Sequence, residues 1–304
     1  MIDQAAALRD LVRRREHEEG SRATRRLPRV MFIGGKGGVG TTTSAVHATC
    51  ALRSEGRRPL LIDADLYRAD TAVLCGLDPA RAKAPHAPRQ SLRESIQIGA
   101  GGIRLLPNLW PPGRPVTLTE SSWRRLNEQI DALWPQTDLA VFDAGGSHGE
   151  MRRKLWRAAQ LVVLVTRPDD LSVMDAYATI KSMHQAGLVT PSQTLCLLVN
   201  LVQDADQAAD VFARIDRSCR RFLDMTLKWL GYVERSEALE RPVPKVAGTE
   251  PEIPFATIAV RLLEWLPSIG RESPRVESSA HATPEAAPQD AVPSAPRDTT
   301  GEAA

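Results

Sequence analysis

The sequence contains no stretch of about eighteen consecutive apolar residues, the length a membrane-crossing helix needs. Its first residues are polar and arginine-rich where a secretory leader would carry an apolar run, so the expectation is a cytoplasmic protein. Cysteine is scarce: Cys50, Cys75, Cys196 and Cys219 are the four in 304 residues, far apart and without a CxxC pair. That spacing argues against a zinc or iron–sulfur site and against a disulfide scaffold, and it fits a reducing compartment. Neither sign of charge dominates, the formal net charge being +2. No uniform field is therefore available to capture nucleic acid or an anionic membrane, and any such contact would have to be local.

What is present is the pattern of a large α/β domain. Residues 1–28 are charged, with a short helical pattern at Leu8, Leu11 and Val12 and then an arginine-rich linker ending at Pro28. They read as an arm ahead of a domain spanning 29–268. Within the domain, short apolar runs alternate with segments of helical period: RVMFIG, PLLIDA, GIRLLP, LAVFDA, LVVLVT, TLCLLVN and LKWLGYV. Runs apolar on both faces and separated by helix-length segments predict a mostly parallel, doubly wound sheet flanked by helices, because each parallel crossover needs a helix. Two helices have clear core faces, one at Val173, Ala176, Tyr177, Ile180 and Met183, the other at Ala208, Val211, Phe212, Ile215, Cys219 and Phe222. A last amphipathic segment runs from Phe255 to Leu266. The tail, 269–304, is rich in Pro, Ala, Ser and Thr with almost no large apolar residue, and is expected to be disordered.

The chemistry is concentrated where the first strand meets the first helix. GGKGGVGTTT, Gly34 to Thr43, can turn backbone N–H groups inward around an anion at a helix N-terminus, so Gly35, Lys36, Gly37, Gly38, Val39, Gly40, Thr41, Thr42 and Thr43 are expected to bind phosphate. Thr42 stands where a hydroxyl coordinates Mg²⁺, and Thr43 is expected to cap the helix. One position departs from a P-loop: Gly-Lys-Ser/Thr would place an ammonium on the β and γ phosphates, but Gly40 is followed by Thr41. Losing one charged hydrogen bond of about 1.5–3 kcal/mol should lower nucleotide affinity roughly ten- to a hundredfold. A lysine does remain earlier in the loop, at Lys36.

Carboxylates follow at strand ends. LLIDADL carries Asp63 and Asp65, expected to point to one side because strand period is two. LAVFDAGG carries Asp143 in a Walker B arrangement, with Gly145 and Gly146 free to act as a switch. Thr42, Asp63 and Asp143 make an expected Mg²⁺ set, beside a pair of carboxylates suited to orienting water. The alternative for Asp63 and Asp65 is a strand running into a helix cap. Asn200, ending TLCLLVN, reads on its own as a turn former, while its amide can both donate and accept.

KGGVG with its early lysine resembles the deviant Walker A of the MinD/ParA family. The resemblance implies ATP or ADP with Mg²⁺ as ligands and an ATP-dependent homodimer. It further implies that Lys36 reaches across the dimer to the partner's phosphates as a catalytic residue, that Asp65 positions the attacking water, and that Asn200 contacts adenine. With Thr41 in place of the second lysine, activity is expected to be that of a slow ATPase at best.

Longer strings, DADLYRADTAVLCGLDP, DAYATIK and VFARIDRSCRRFL followed by LKWLGYV, resemble the FlhG (FleN/YlxH) branch, MinD-like regulators of flagellar number and placement. At the start, Asp3, Gln4, Ala5, Leu8 and Arg9 within DQAAALR look like the branch's activator helix for FlhF, a GTPase of the signal-recognition-particle type. The same residues without that resemblance read as a solvated charged helix. Components of the flagellar base are further implied partners, and the resemblance adds polar or peripheral inner-membrane placement to the cytoplasmic expectation. The segment from Phe255 to Leu266 carries one Arg and one Glu on its polar side, too little charge for a membrane-surface helix, so it reads as domain closure with membrane contact weak or absent. The C-terminal segments concentrate no basic residues, so nucleic acid is not an expected partner. The competing reading is a catalytically inactive MinD-like scaffold for polar localisation, similar to the CpaE/TadZ pilus-assembly proteins, which also carry KGGVGT.

Overall fold

The structure, a computed structural model, describes residues 26–65, 70–78, 91–107, 109, 119–134, 136–145, 149–243 and 253–266. The arm residues Asp3, Gln4, Ala5, Leu8 and Arg9, switch residue Gly146 and the 269–304 tail lie outside them. Among the described residues eight strands form: β1 (Arg29–Gly34), β2 (Pro59–Asp63), β3 (Gln97–Ile98), β4 (Arg104–Leu106), β5 (Leu139–Asp143), β6 (Leu161–Thr166), β7 (Thr194–Val202) and β8 (Lys228–Glu234). The helices are α1 (Thr41–Ser54), α2 (Asp70–Leu74), α3 (Leu92–Ser95), α4 (Glu120–Asp131), α5 (Gly149–Ala158), α6 (Asp170–Gln185), α7 (Ala205–Leu223) and α8 (Ile253–Trp265). All seven expected strands are present. The eighth, β3, went unread because two residues, half-buried and exposed, leave no periodic signature.

The strands form one sheet in the order β3-β4-β2-β5-β1-β6-β7-β8. Every pairing is parallel except β3 with β4. β1, β2, β5 and β6 are buried at every residue, the reason their sequences are continuous apolar runs instead of alternating ones. The chain winds out from β1 in one direction through β2, then crosses to the other side through β6 and β7. The order therefore reverses at β1, and in open α/β sheets the crevice at the carboxyl ends of the strands flanking such a reversal is where ligands bind.

Alternate residues of β1 serve two cores. Met31 and Ile33 join the layer under α4, α5, α6 and α7, which includes the fully buried Trp156, while Val30 and Phe32 join the layer under α1 and α8. The α6 and α7 stripes pack as expected except at Phe222, which is 65% exposed. It lies in the last turn of α7, where Leu223 takes the buried position and Asp224 ends the helix in the left-handed region; the ring meets the Arg221 guanidinium instead, 5.2 Å from its centroid.

The segment from Phe255 to Leu266 lies against the domain. Phe255, Ile258, Ala259 and Leu262 are essentially inaccessible in the α1 layer, and Arg261 donates to the carbonyls of Trp229 and Leu230 on β8. This apolar face is spent on the fold, and among the described residues no helix is long and apolar enough to cross a membrane. Leu262→Ala is expected to cost about 2–5 kcal/mol, as a buried leucine truncated in a packed core does. Urea unfolding measures it, and a loss below 1 kcal/mol would contradict a core role.

Candidate functional site

β1 ends at Gly34, α1 begins at Thr41, and the loop between is shaped by its glycines. A Cβ on Gly35 would fall 2.6 Å from the backbone of Asp175, so α6 packs directly on the start of the loop. Gly38 and Gly40 have φ of +81° and +89°, in the region that costs an L side chain strain. Gly40 is the N-cap of α1, and no side-chain hydrogen bond caps this helix. The expected cap by Thr43 does not form, because the helix already starts at Thr41 and Thr43 sits inside its first turn. The leading N–H groups and the positive end of the helix dipole are thereby left to an anion.

A cleft of about 750 Å³ opens over this helix end. Of the expected site residues, Lys36, Gly37, Gly38, Gly40, Thr41, Thr42, Thr43, Asp65 and Asn200 line it. Gly35 is held against α6, Val39 is buried in the core beneath the loop, and Asp63 and Asp143 lie behind the cleft wall, 1% and 0% exposed. Thr41, in the lysine's place, is 6% exposed and turns its hydroxyl under the loop, where a Cβ on Gly34 would be only 2.6 Å from it. Lys36 points its ammonium to Asp169, 3.1 Å away. Asn200 lies inside β7, two residues before its end, with the amide turned to the loop, Nδ2 donating to the Val39 carbonyl at 2.9 Å.

The two buried aspartates are register partners on the adjacent strands β2 and β5. Asp143 accepts from the Thr71 hydroxyl and the Gly145 N–H, both at 3.0 Å. Burial pushes its carboxyl up to about 6, while hydrogen bonds from Thr42, Thr71 and Gly145 pull the other way. Asp63 is held well above the ordinary carboxylate range, first by burial and then by the Asp143 charge. Asp65 is placed by a turn and not by the strand periodicity that suggested it shares one side with Asp63. β2 stops at Asp63, and in the turn that follows the Asp65 N–H donates back to Asp63 Oδ1 at 3.1 Å. Asp65 instead faces Gly145, whose φ is +44° and whose Cβ, if present, would lie 2.1 Å from Asp65 Oδ2.

Asp63 Oδ2 is buried without a hydrogen-bond partner. An orphaned, negatively polarised oxygen beside a second carboxylate and a threonine hydroxyl is an all-oxygen donor set that suits a hard dication. Among the described residues no three His, Cys, Asp or Glu side chains gather into a metal cage. That agrees with Mg²⁺ held by one or two carboxylates together with phosphate oxygens, and not with a dedicated protein cage.

Other lining residues carried weak signals. Ser44 continues the TTT run, is 1% exposed, and has a hydroxyl without a partner. Asp169, which holds Lys36, caps α6 by accepting from Ser172 N–H at 2.9 Å and its hydroxyl at 2.6 Å, a pattern legible in DDLS. Leu239 and Phe255 also line the cleft; Phe255 read as part of the segment that closes the domain, and Leu239 lay outside every expected element.

The model of the CobQ/CobB/MinD/ParA nucleotide-binding domain matches residues 30–242. The chain belongs to this nucleotide-binding family. Among its relatives, the antiactivator FleN of Pseudomonas aeruginosa is 31% identical over 78% of this chain and 86% of its own. The flagellum site-determining protein YlxH of Helicobacter pylori is 26% identical over 70% and 72%. The MinD septum site-determining protein of Pyrococcus horikoshii, solved with Mg-ADP, superposes with a TM-score of 0.55 at 18% identity, over 78% of this chain and 96% of that one. The MinD/ParA fold, a P-loop at the switch point of a mostly parallel sheet, is the one seen here.

Proposed function

We propose that this chain is a MinD-like, nucleotide-switched regulator of flagellar number. The observation that carries the proposal is the uncapped end of α1 opening under a glycine loop into the cleft, in a chain similar to FleN over most of its length. ATP or ADP is the ligand. Thr42, Asp63 and Asp143 hold Mg²⁺, which when bound offsets phosphate charge. Asp65 orients water for a slow hydrolysis, Lys36 reaches the phosphates of a second copy in an ATP-dependent homodimer, and Asn200 borders the base. The arm, through Asp3, Gln4, Ala5, Leu8 and Arg9, acts on the GTPase FlhF. The protein works in the cytoplasm, at the pole or at the inner membrane surface.

A second reading, a scaffold without turnover, is favoured by one observation: Thr41 lies under the loop and brings no charge to the cleft. ATP titration by calorimetry with size-exclusion chromatography decides between them. The native chain is expected to bind, and Thr41→Lys to bind about ten- to a hundredfold more tightly, the worth of one charged hydrogen bond. Lys36→Ala is expected to keep nucleotide binding but lose ATP-linked dimerisation. No binding by the native chain leaves the scaffold. Deleting residues 2–12 should abolish stimulation of the GTPase, and unchanged stimulation would remove the activator role.

A further inference from the structure

A loop of this type without its second lysine is short of one cation, and the structure holds a candidate replacement outside the loop. β1 and β6 run parallel in register, Gly34 opposite Val165, so the residues that follow this pair, Gly35 and Lys36 after β1 and the last β6 residue Thr166 with Arg167, come side by side at the ligand end of the sheet. There two cations share one carboxylate. Lys36 Nζ is 3.1 Å from Asp169 Oδ1, and Arg167 Nε is 3.7 Å from Asp169 Oδ2. The partnerships are unequal. Lys36 is hydrogen-bonded, whereas Arg167 Nε is beyond hydrogen-bond distance of its carboxylate and is buried without an acceptor.

Asp169 already accepts twice from Ser172 as the cap of α6, so its oxygens are largely committed. Lys36, Arg167 and Asp169 together carry +1, and the guanidinium Nε–H is still unmatched. A buried donor lacking an acceptor is an unfavourable arrangement that an incoming anion relieves, and the fork of an arginine matches phosphate oxygens. We propose that Arg167 is a phosphate-binding residue, the cation that takes over the task of the lysine absent at position 41. The inference rests on the nucleotide-binding reading above. The ligand chemistry is a phosphate oxygen, belonging to the nucleotide on the chain's own loop or to one carried by a second copy.

Calorimetric titration with ADP and with a non-hydrolysable ATP analogue, in Mg²⁺, tests it on the full chain, with size-exclusion chromatography of the same samples. Arg167→Ala is expected to weaken binding about tenfold or more, the usual worth of a charge-assisted hydrogen bond. Arg167→Lys should restore part of the loss, and Thr41→Lys in the Arg167→Ala background should restore most of it, since both cations would serve one phosphate group. Circular dichroism establishes that the variants are folded. Weakened ADP binding by the monomer assigns the contact to the chain's own nucleotide. A loss confined to the ATP-linked dimer assigns it to the second copy. Native binding with Arg167→Ala within twofold overturns the inference alone, whereas a native chain that binds neither nucleotide overturns the nucleotide reading with it.

Discussion

Gly40→Ala is expected to lower nucleotide affinity at least a hundredfold and to destabilise the fold by about 2–5 kcal/mol. Two costs combine. The backbone at Gly40 sits at φ +89°, where an L side chain loses roughly 1–2 kcal/mol. The added Cβ would also lie 2.0 Å from Asn200 Nδ2, and Asn200 is 5% exposed with no room to retreat. Moving it breaks the hydrogen bond to Val39 and leaves a buried carbonyl without a donor, a penalty of about 1–3 kcal/mol. The loop then leaves the curvature that aims its N–H groups at phosphate, and two misdirected contacts of about 1.5 kcal/mol each account for the affinity. Gly37→Ala is the control: a Cβ there meets nothing within 4 Å, so thermal unfolding should shift by little. Calorimetry and melting of the two variants side by side check the claim. Equal behaviour would show that the left-handed conformation and the Asn200 contact do not matter.

Asp63→Asn is expected to stabilise the ligand-free protein at neutral pH by about 1–3 kcal/mol, the scale of an unsatisfied buried polar group, while weakening Mg²⁺-dependent nucleotide binding. The asparagine oxygen can keep the Asp65 N–H, and its amide group would take the place of the orphaned Oδ2, offering an N–H toward the Asp143 carboxylate. The direction with pH follows from the raised pKa. The folded chain holds this proton more tightly than the unfolded chain does. The group's contribution is therefore full below the ordinary aspartate value of about 4 and is lost as pH rises through the folded value. Asp63→Asn should flatten this decline, so its advantage over the native chain grows from pH 5 to pH 8. Melting curves across that range measure it. An advantage that shrinks with pH would mean that Asp63 is stabilised as an anion.

Much of this was legible in the residues themselves, and the exceptions share a cause. Seven strands announced themselves because burial on both faces demands unbroken apolar runs, and the phosphate loop because no other common turn uses five glycines between a strand and a helix. What failed were inferences that extended a period past its element. Asp65 was assigned a strand direction beyond the end of β2 at Asp63, and Phe222 a core position in the turn where α7 stops. Thr43 was read as a cap because the start of α1 cannot be located to one residue from composition. Contacts between distant segments were not readable at all. Lys36 with Asp169, Asn200 with Val39 and Thr71 with Asp143 are separated by 133, 161 and 72 residues, and only the sheet order brings them together.

Arg261 carries a consequence for how copies of this chain can associate. β8 is the last strand of the sheet, and the outer side of such a strand is a template on which another polypeptide can add by backbone pairing. The Arg261 guanidinium, seated on the Trp229 and Leu230 carbonyls, sets a charge against this strand, one of the means by which a sheet border is kept from pairing. At the opposite border β3 is only two residues long, too short to seed a strand. The same molecule thus discourages indefinite edge-to-edge growth at both borders by different means.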